Sequence, residues 1–113
     1  MPVPLHSSKL KKRGYNQSEM IANGISTILK IPVDTASIER TRENETQTHK
    51  NINERYLNSQ GLFATTQQAQ KLAGRHILLV DDVITTGATL EACARELLKI
   101  PGVKVSCAAF AMA

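Results

Sequence analysis

The chain has 113 residues, 42% hydrophobic and 21% charged, with a net charge of +4. That length suits one compact domain burying roughly two-thirds of its unfolded surface. No apolar run reaches the ~20 residues of a membrane helix, and the start, Met1–His6, lacks the apolar core and cleavage site of a signal peptide. A cytoplasmic location is expected. The two cysteines, Cys93 and Cys107, are not spaced as a zinc pair and read as buried free thiols.

In chain order, Val3–Leu5 is a short strand held to an edge by its prolines. His6–Tyr15 reads as a polar loop, with Lys9, Lys11, Lys12 and Arg13 as a basic cluster suited to phosphates. Asn16 followed by Glu19 predicts a helix start in the manner of a capping box. Ile21, Ile25, Ile28 and Leu29 form its apolar stripe, and Pro32 stops it. Val33–Arg42 is a strand region carrying part of a second, looser basic cluster, Arg40, Arg42, Lys50 and Arg55.

Glu43–Gln60 is polar throughout and reads as a long mobile excursion. Gly61–Thr65 returns as a strand, and Gln67–Ala73 forms a short helix ending at Gly74. The run Ile77-Leu78-Leu79-Val80 suits a central parallel strand buried on both faces. Leu90, Cys93, Ala94, Leu97 and Leu98 repeat at helical spacing, Pro101-Gly102 ends that helix, and Val103–Ala113 is a final apolar strand. Strand, helix and strand in alternation predict an α/β fold with a parallel sheet.

The chemistry concentrates in Asp81-Asp82-Val83-Ile84-Thr85-Thr86-Gly87-Ala88-Thr89. Ligands of open α/β sheets bind at the carboxyl ends of strands, where the two acids are expected. Adjacent like charges repel and make a poor structural pair, but they can accept hydrogen bonds from a vicinal diol. The small and hydroxylated residues that follow open a helix, whose free amides and dipole favour an anion. Together these describe a ribose-5-phosphate site. A Walker B strand would need a phosphate loop of the form G-x-x-x-x-G-K-[ST], which the sequence lacks. A receiver domain would need a later phosphoacceptor aspartate, and none follows Asp82.

With this segment the sequence resembles the type I phosphoribosyltransferases. Val3-Pro4-Leu5-His6, Lys9-Leu10-Lys11 and Arg13-Gly14-Tyr15-Asn16-Gln17 look like the opening of their ComF/GntX-like branch. Arg40-Thr41-Arg42, Gln47-Thr48, Arg55, Asn58, Gly61 and Phe63 extend the likeness over nearly the whole chain. The resemblance implies one domain over residues 1–113, with a five-stranded, mostly parallel sheet flanked by helices, a small hood and a long flexible loop. It implies binding of 5-phosphoribosyl-1-diphosphate (PRPP) with Mg²⁺ carried on the PRPP itself and no metal held by the protein alone.

Asp81 and Asp82, the catalytic candidates, would hold the ribose hydroxyls, and Val83 with Thr85, Thr86, Gly87, Ala88 and Thr89 would complete the site around the 5-phosphate. His6, Lys9, Lys11, Arg13, Arg40, Arg42, Gln47 and Arg55 are candidates for diphosphate or lid contacts. His49 is either such a contact or a surface histidine, and His76 is structural. Family members often carry a zinc-binding segment and a helix before the first strand. Neither is in this sequence, which suits a fragment or a short form.

The implied activity is phosphoribosyl transfer to a nitrogenous acceptor, a pentosyl (glycosyl) transfer of nucleotide metabolism, similar to amidophosphoribosyltransferases but without a glutaminase domain. The alternative is a PRPP-binding protein without turnover, tied to competence and touching single-stranded DNA. Only four aromatic residues, Tyr15, Tyr56, Phe63 and Phe110, are available for base stacking. Related domains often pair, so a homodimer is a further expectation.

Overall fold

The computed structural model describes residues 1–41, 61–84 and 86–112. The expected excursion Glu43–Gln60 lies outside these residues.

The centre is strand β3, His76–Ile84, set beside strand β4, Lys104–Met112, in parallel. Their register runs from His76↔Lys104 to Ile84↔Met112. Helix α3, Ala88–Leu98, connects them. Its Leu90, Cys93 and Leu97 join Ile77 and Leu79 in the core, and Leu79, Cys93 and Leu97 are wholly buried. The turns at the other end of the two strands meet at Gly74 and Gly102. A Cβ on Gly102 would come 3.1 Å from the Gly74 Cα, so this approach needs a glycine.

The N-terminal segment flanks β3 on its other side. Pro2 bridges Val80 in parallel, with Val3 N donating to Val80 O (2.8 Å) and Val80 N to Met1 O (2.9 Å). The proline at the bridge gives up no bond, because its neighbours make the hydrogen bonds. β3 is therefore central, as the apolar run predicts. Its Leu78, however, is only half-buried.

The sheet is smaller than the five strands implied by the resemblance. Among the described residues it is one parallel pair with the bridged flank, plus a separate antiparallel pair of β1, Ile38–Arg40, and β2, Phe63–Thr65. β1 is shorter than the expected 33–42. The Asp34 carboxylate accepts from the amides of Ala36 and Ser37 (both 2.9 Å) and from the Ser37 hydroxyl, which holds residues 34–37 in a turn.

Helix α2, Gln17–Leu29, begins where the cap predicts: Asn16 Oδ1 accepts from Ser18 N (3.0 Å). Its buried residues are Ser18 and Ala22, whereas Ile28 (79% exposed) and Leu29 face solvent. The helix lies on β3 with its small side chains, beside Leu78 and Val80, and its last turn carries the end of the expected stripe into water. It stops at Lys30, which takes a left-handed conformation (φ 55°) two residues ahead of Pro32.

The stretch expected as a polar loop contains helix α1, Ser7–Arg13. His6 caps its start, Gly14 closes its end at φ 84°, and Lys11, Lys12 and Arg13 in the last turn complement the helix dipole. None of its residues is buried, so hydrophobic patterning gives it no signal. Gln67–Leu72 is a 3-10 helix capped by Thr66, close to the helix expected there. Cys107 is exposed on β4, contrary to expectation; Cys93 is buried as predicted. Leu98 is likewise exposed, beyond the face that α3 turns to the core. His76 is exposed and its Nε2 meets Ser106 Oγ at 2.7 Å across the pair. Among the described residues no helix is long and apolar enough to cross a membrane.

Candidate functional site

Asp81 and Asp82 follow Val80 without a break in the strand. β3 runs on to Ile84, so the acids stand inside its last half and not at its end. The extra pairing, Val83↔Ala111 and Ile84↔Met112, continues the ladder past them. Both acids are half-buried. Asp81 Oδ1 accepts from Asp82 N (2.9 Å) and from Ser18 Oγ (3.4 Å), and Asp82 Oδ1 accepts from Val83 N (2.8 Å). Among the described residues neither acid forms an ion pair; the pairs present are Lys71–Asp34, Arg95–Glu91 and Lys99–Glu96.

Burial without a countercharge disfavours ionisation. Loss of hydration, reinforced by the adjoining Asp82, pushes the Asp81 carboxyl up to about 6, against small opposing contributions from the Asp82 amide and the Ser18 hydroxyl.

The turn after β3 leads into α3 through Thr86 and Gly87. Thr85 lies outside the described residues. Gly87 is the cap residue, at φ 79°, a left-handed conformation that favours glycine, and it offers no side chain to the helix amides. Thr86 Oγ1 accepts from Ala88 N at 3.3 Å. The remaining first-turn amides have no acceptor within the helix, the condition for holding an anion. Glu91, in the same turn, is directed to Arg95 at 3.0 Å. Asp81, Asp82 and Val83 thus stand in the last half of β3, and Thr86, Gly87, Ala88 and Thr89 at the start of α3.

The predicted cations are more scattered. His6 spends its Nδ1 on the α1 cap, 3.3 Å from Ser8 N and 2.9 Å from Ser8 Oγ. Lys9 and Lys11 are exposed on α1, and Arg13 donates to Gln17 Oε1 (3.0 Å). The segment leading into α1 runs parallel to β3 and is bonded at Val80, so α1 emerges at the same edge as Asp81. Arg40 stands on β1 with its guanidinium 5.4 Å from the Phe63 ring centre. Arg42, Gln47, His49, Lys50 and Arg55 lie outside the described residues.

One residue reaches the acids that the sequence did not single out for it. Ser18 reaches Asp81 from the first turn of α2, whose cap Asn16 donates from Nδ2 to Val3 O (3.0 Å). Both are buried. The available signal was a small polar residue, Ser18, on the same helix face as Ala22.

The described residues thus form a parallel strand–helix–strand unit with paired acids on the first strand and a threonine–glycine turn at the start of the helix. The phosphoribosyl transferase domain family matches residues 16–113, and the chain belongs to that family, with ComF-like proteins as its relatives. Competence protein F of Haemophilus influenzae is 33% identical over 100 residues, covering 88% of this chain and 44% of that protein. DNA utilization protein YhgH of Escherichia coli is 35% identical over 97 residues, 86% of this chain and 41% of that protein. Competence protein ComFC of Bacillus subtilis is 34% identical over 99 residues, 88% of this chain and 38% of that protein. The chain therefore spans less than half the length of these curated relatives.

Proposed function

We propose that this chain binds PRPP between the last half of β3 and the start of α3 and transfers its phosphoribosyl group to a nitrogenous acceptor. The observation that carries the reading is a pair of half-buried acids, without a countercharge among the described residues, on the strand that leads into the start of α3. The ribose hydroxyls would donate to Asp81 and Asp82. The 5-phosphate would accept from the amides of 86–89, from the Thr86 and Thr89 hydroxyls, and from Thr85.

In the transfer the acceptor nitrogen gives its lone pair to C1 as the C1–O bond to diphosphate breaks. The bonding pair leaves on the diphosphate, and the nitrogen releases its proton to solvent or a facing base. The transition state carries oxocarbenium character. Asp81 and Asp82 fix the ring and favour its positive charge, and the cations of α1 at the same edge would draw on the leaving diphosphate.

Among the described residues no group of three or more His, Cys, Asp or Glu gathers into a metal cage. Mg²⁺ needs no such cage: it keeps several waters and would arrive carried on PRPP, whose phosphate oxygens are its natural donors, which leaves Asp81 and Asp82 to the ribose hydroxyls. Its chemistry here would be to neutralise the diphosphate.

A second reading has its own support. The relatives are named for competence and DNA utilization, and Lys9, Lys11, Lys12 and Arg13 are all exposed on α1. The chain would then bind PRPP without turnover and hold single-stranded DNA. Diphosphate release across a panel of purine, orotate and amine acceptors separates the two. Release with one acceptor supports transfer. No release, together with oligonucleotide binding that weakens steeply with salt, supports the second reading.

A further inference from the structure

Among the described residues a cavity of about 200 Å³ lies between α1, the start of α2 and β1. Leu5, Leu10 and Ile38 give it an apolar lining, and Glu19, Asp34 and Glu39 add three acidic residues to its wall. Among the described residues no lysine, arginine or histidine lines it. Asp34 is already engaged by the turn at 36–37 and by Lys71 at 3.7 Å. Glu19 and Glu39 have no ion-pair partner among the described residues, which leaves them as the unpaired charges among the residues that line the cavity.

The cavity also adjoins the proposed PRPP site. Ser18 reaches Asp81 and the next residue, Glu19, lines the cavity, so one turn of α2 serves both. Pro4 and Leu5 leave the bridged flank at the edge of the sheet where Asp81 stands.

We infer that this cavity receives an amine with an apolar body, and that it disfavours acceptors bearing a carboxylate. As the acceptor subsite of the proposed transfer, the inference rests on the PRPP reading. As a charge preference of the cavity, it is testable without it. A carboxylate pair near the surface attracts an ammonium and repels an anion of the same shape.

Benzylamine and benzoate are matched probes of that difference. Both are titrated into the chain while the methyl signals of Leu10 and Ile38 are followed by NMR. Benzylamine is expected to bind about tenfold more tightly than benzoate, and Glu19→Gln with Glu39→Gln to remove the preference. Benzoate binding as well as benzylamine, no shift of those methyls with benzylamine, or an undiminished preference in the double variant overturns the inference. Mg-PRPP binding is measured separately: its absence refutes the reading of the acid pair, while the charge preference stands or falls on the probes.

Discussion

Asp81 holds a conflict that the sequence announces and the structure keeps. Its carboxyl, ordinarily near 3.8, is pushed up to about 6, first by burial and then by Asp82. Between those two values the folded chain keeps a proton that the unfolded chain has released. Stability therefore falls as pH rises from about 4 to about 6 and stays lower above that window. Asp81→Asn removes the charge while keeping an acceptor for Ser18. It should raise stability at pH 7.5 by on the order of 1 kcal/mol, discounted because the group is half-exposed and screened, and with it the melting temperature. The gain should close toward zero at pH 4. Thermal unfolding at the two pH values checks this; a variant no more stable than the parent at pH 7.5 contradicts it. The acids were legible in the sequence because an apolar run leads into them. Ser18 was not, because it stands 63 positions away and only the packing of α2 on β3 brings its hydroxyl to Asp81.

At the scale of elements, Asn16 joins the first turn of α2 to the flank of the sheet. Its Oδ1 caps the helix and its Nδ2 satisfies Val3 O, both at 3.0 Å and in a buried position. Asn16→Ala loses both bonds and should cost about 2–3 kcal/mol. Asn16→Ser keeps a cap but does not reach Val3, and should recover only part of that loss. Urea unfolding of the two variants measures the difference, and full recovery by serine would show that the Val3 bond contributes nothing. The cap itself was readable, since Asn before a periodic run is a local signal. The covered face of α2 was not: periodicity tells which residues share a face, but the partner decides which face is buried. Here Ser18 and Ala22 are buried, and Ile28 and Leu29 are exposed. Helix α1 escaped for the opposite reason, since it buries nothing and is held by His6 and Gly14 at its ends.

For the whole molecule, the α/β alternation and the parallel pairing of β3 with β4 could be read from two apolar runs separated by a helical repeat. The extent of the sheet could not, because strand count depends on pairing between distant segments. Where the resemblance implies five strands, the described residues form a parallel pair with a bridged flank and a separate antiparallel pair. β4 leaves Phe110 (81%) and Met112 (83%) exposed at its far end. The functional reading depends on none of this outer surface; it needs the last half of β3, the mouth of α3 and the start of α2 to act as one ligand site. Isothermal titration with Mg-PRPP tests that most directly, on the parent chain and on Asp82→Asn with Thr86→Ala, each checked for folding by circular dichroism. Saturable binding to the parent and a weakening of at least about 100-fold in the double variant are expected from the loss of two polar contacts. No binding to the parent, or equal affinity in a folded double variant, would contradict the assignment.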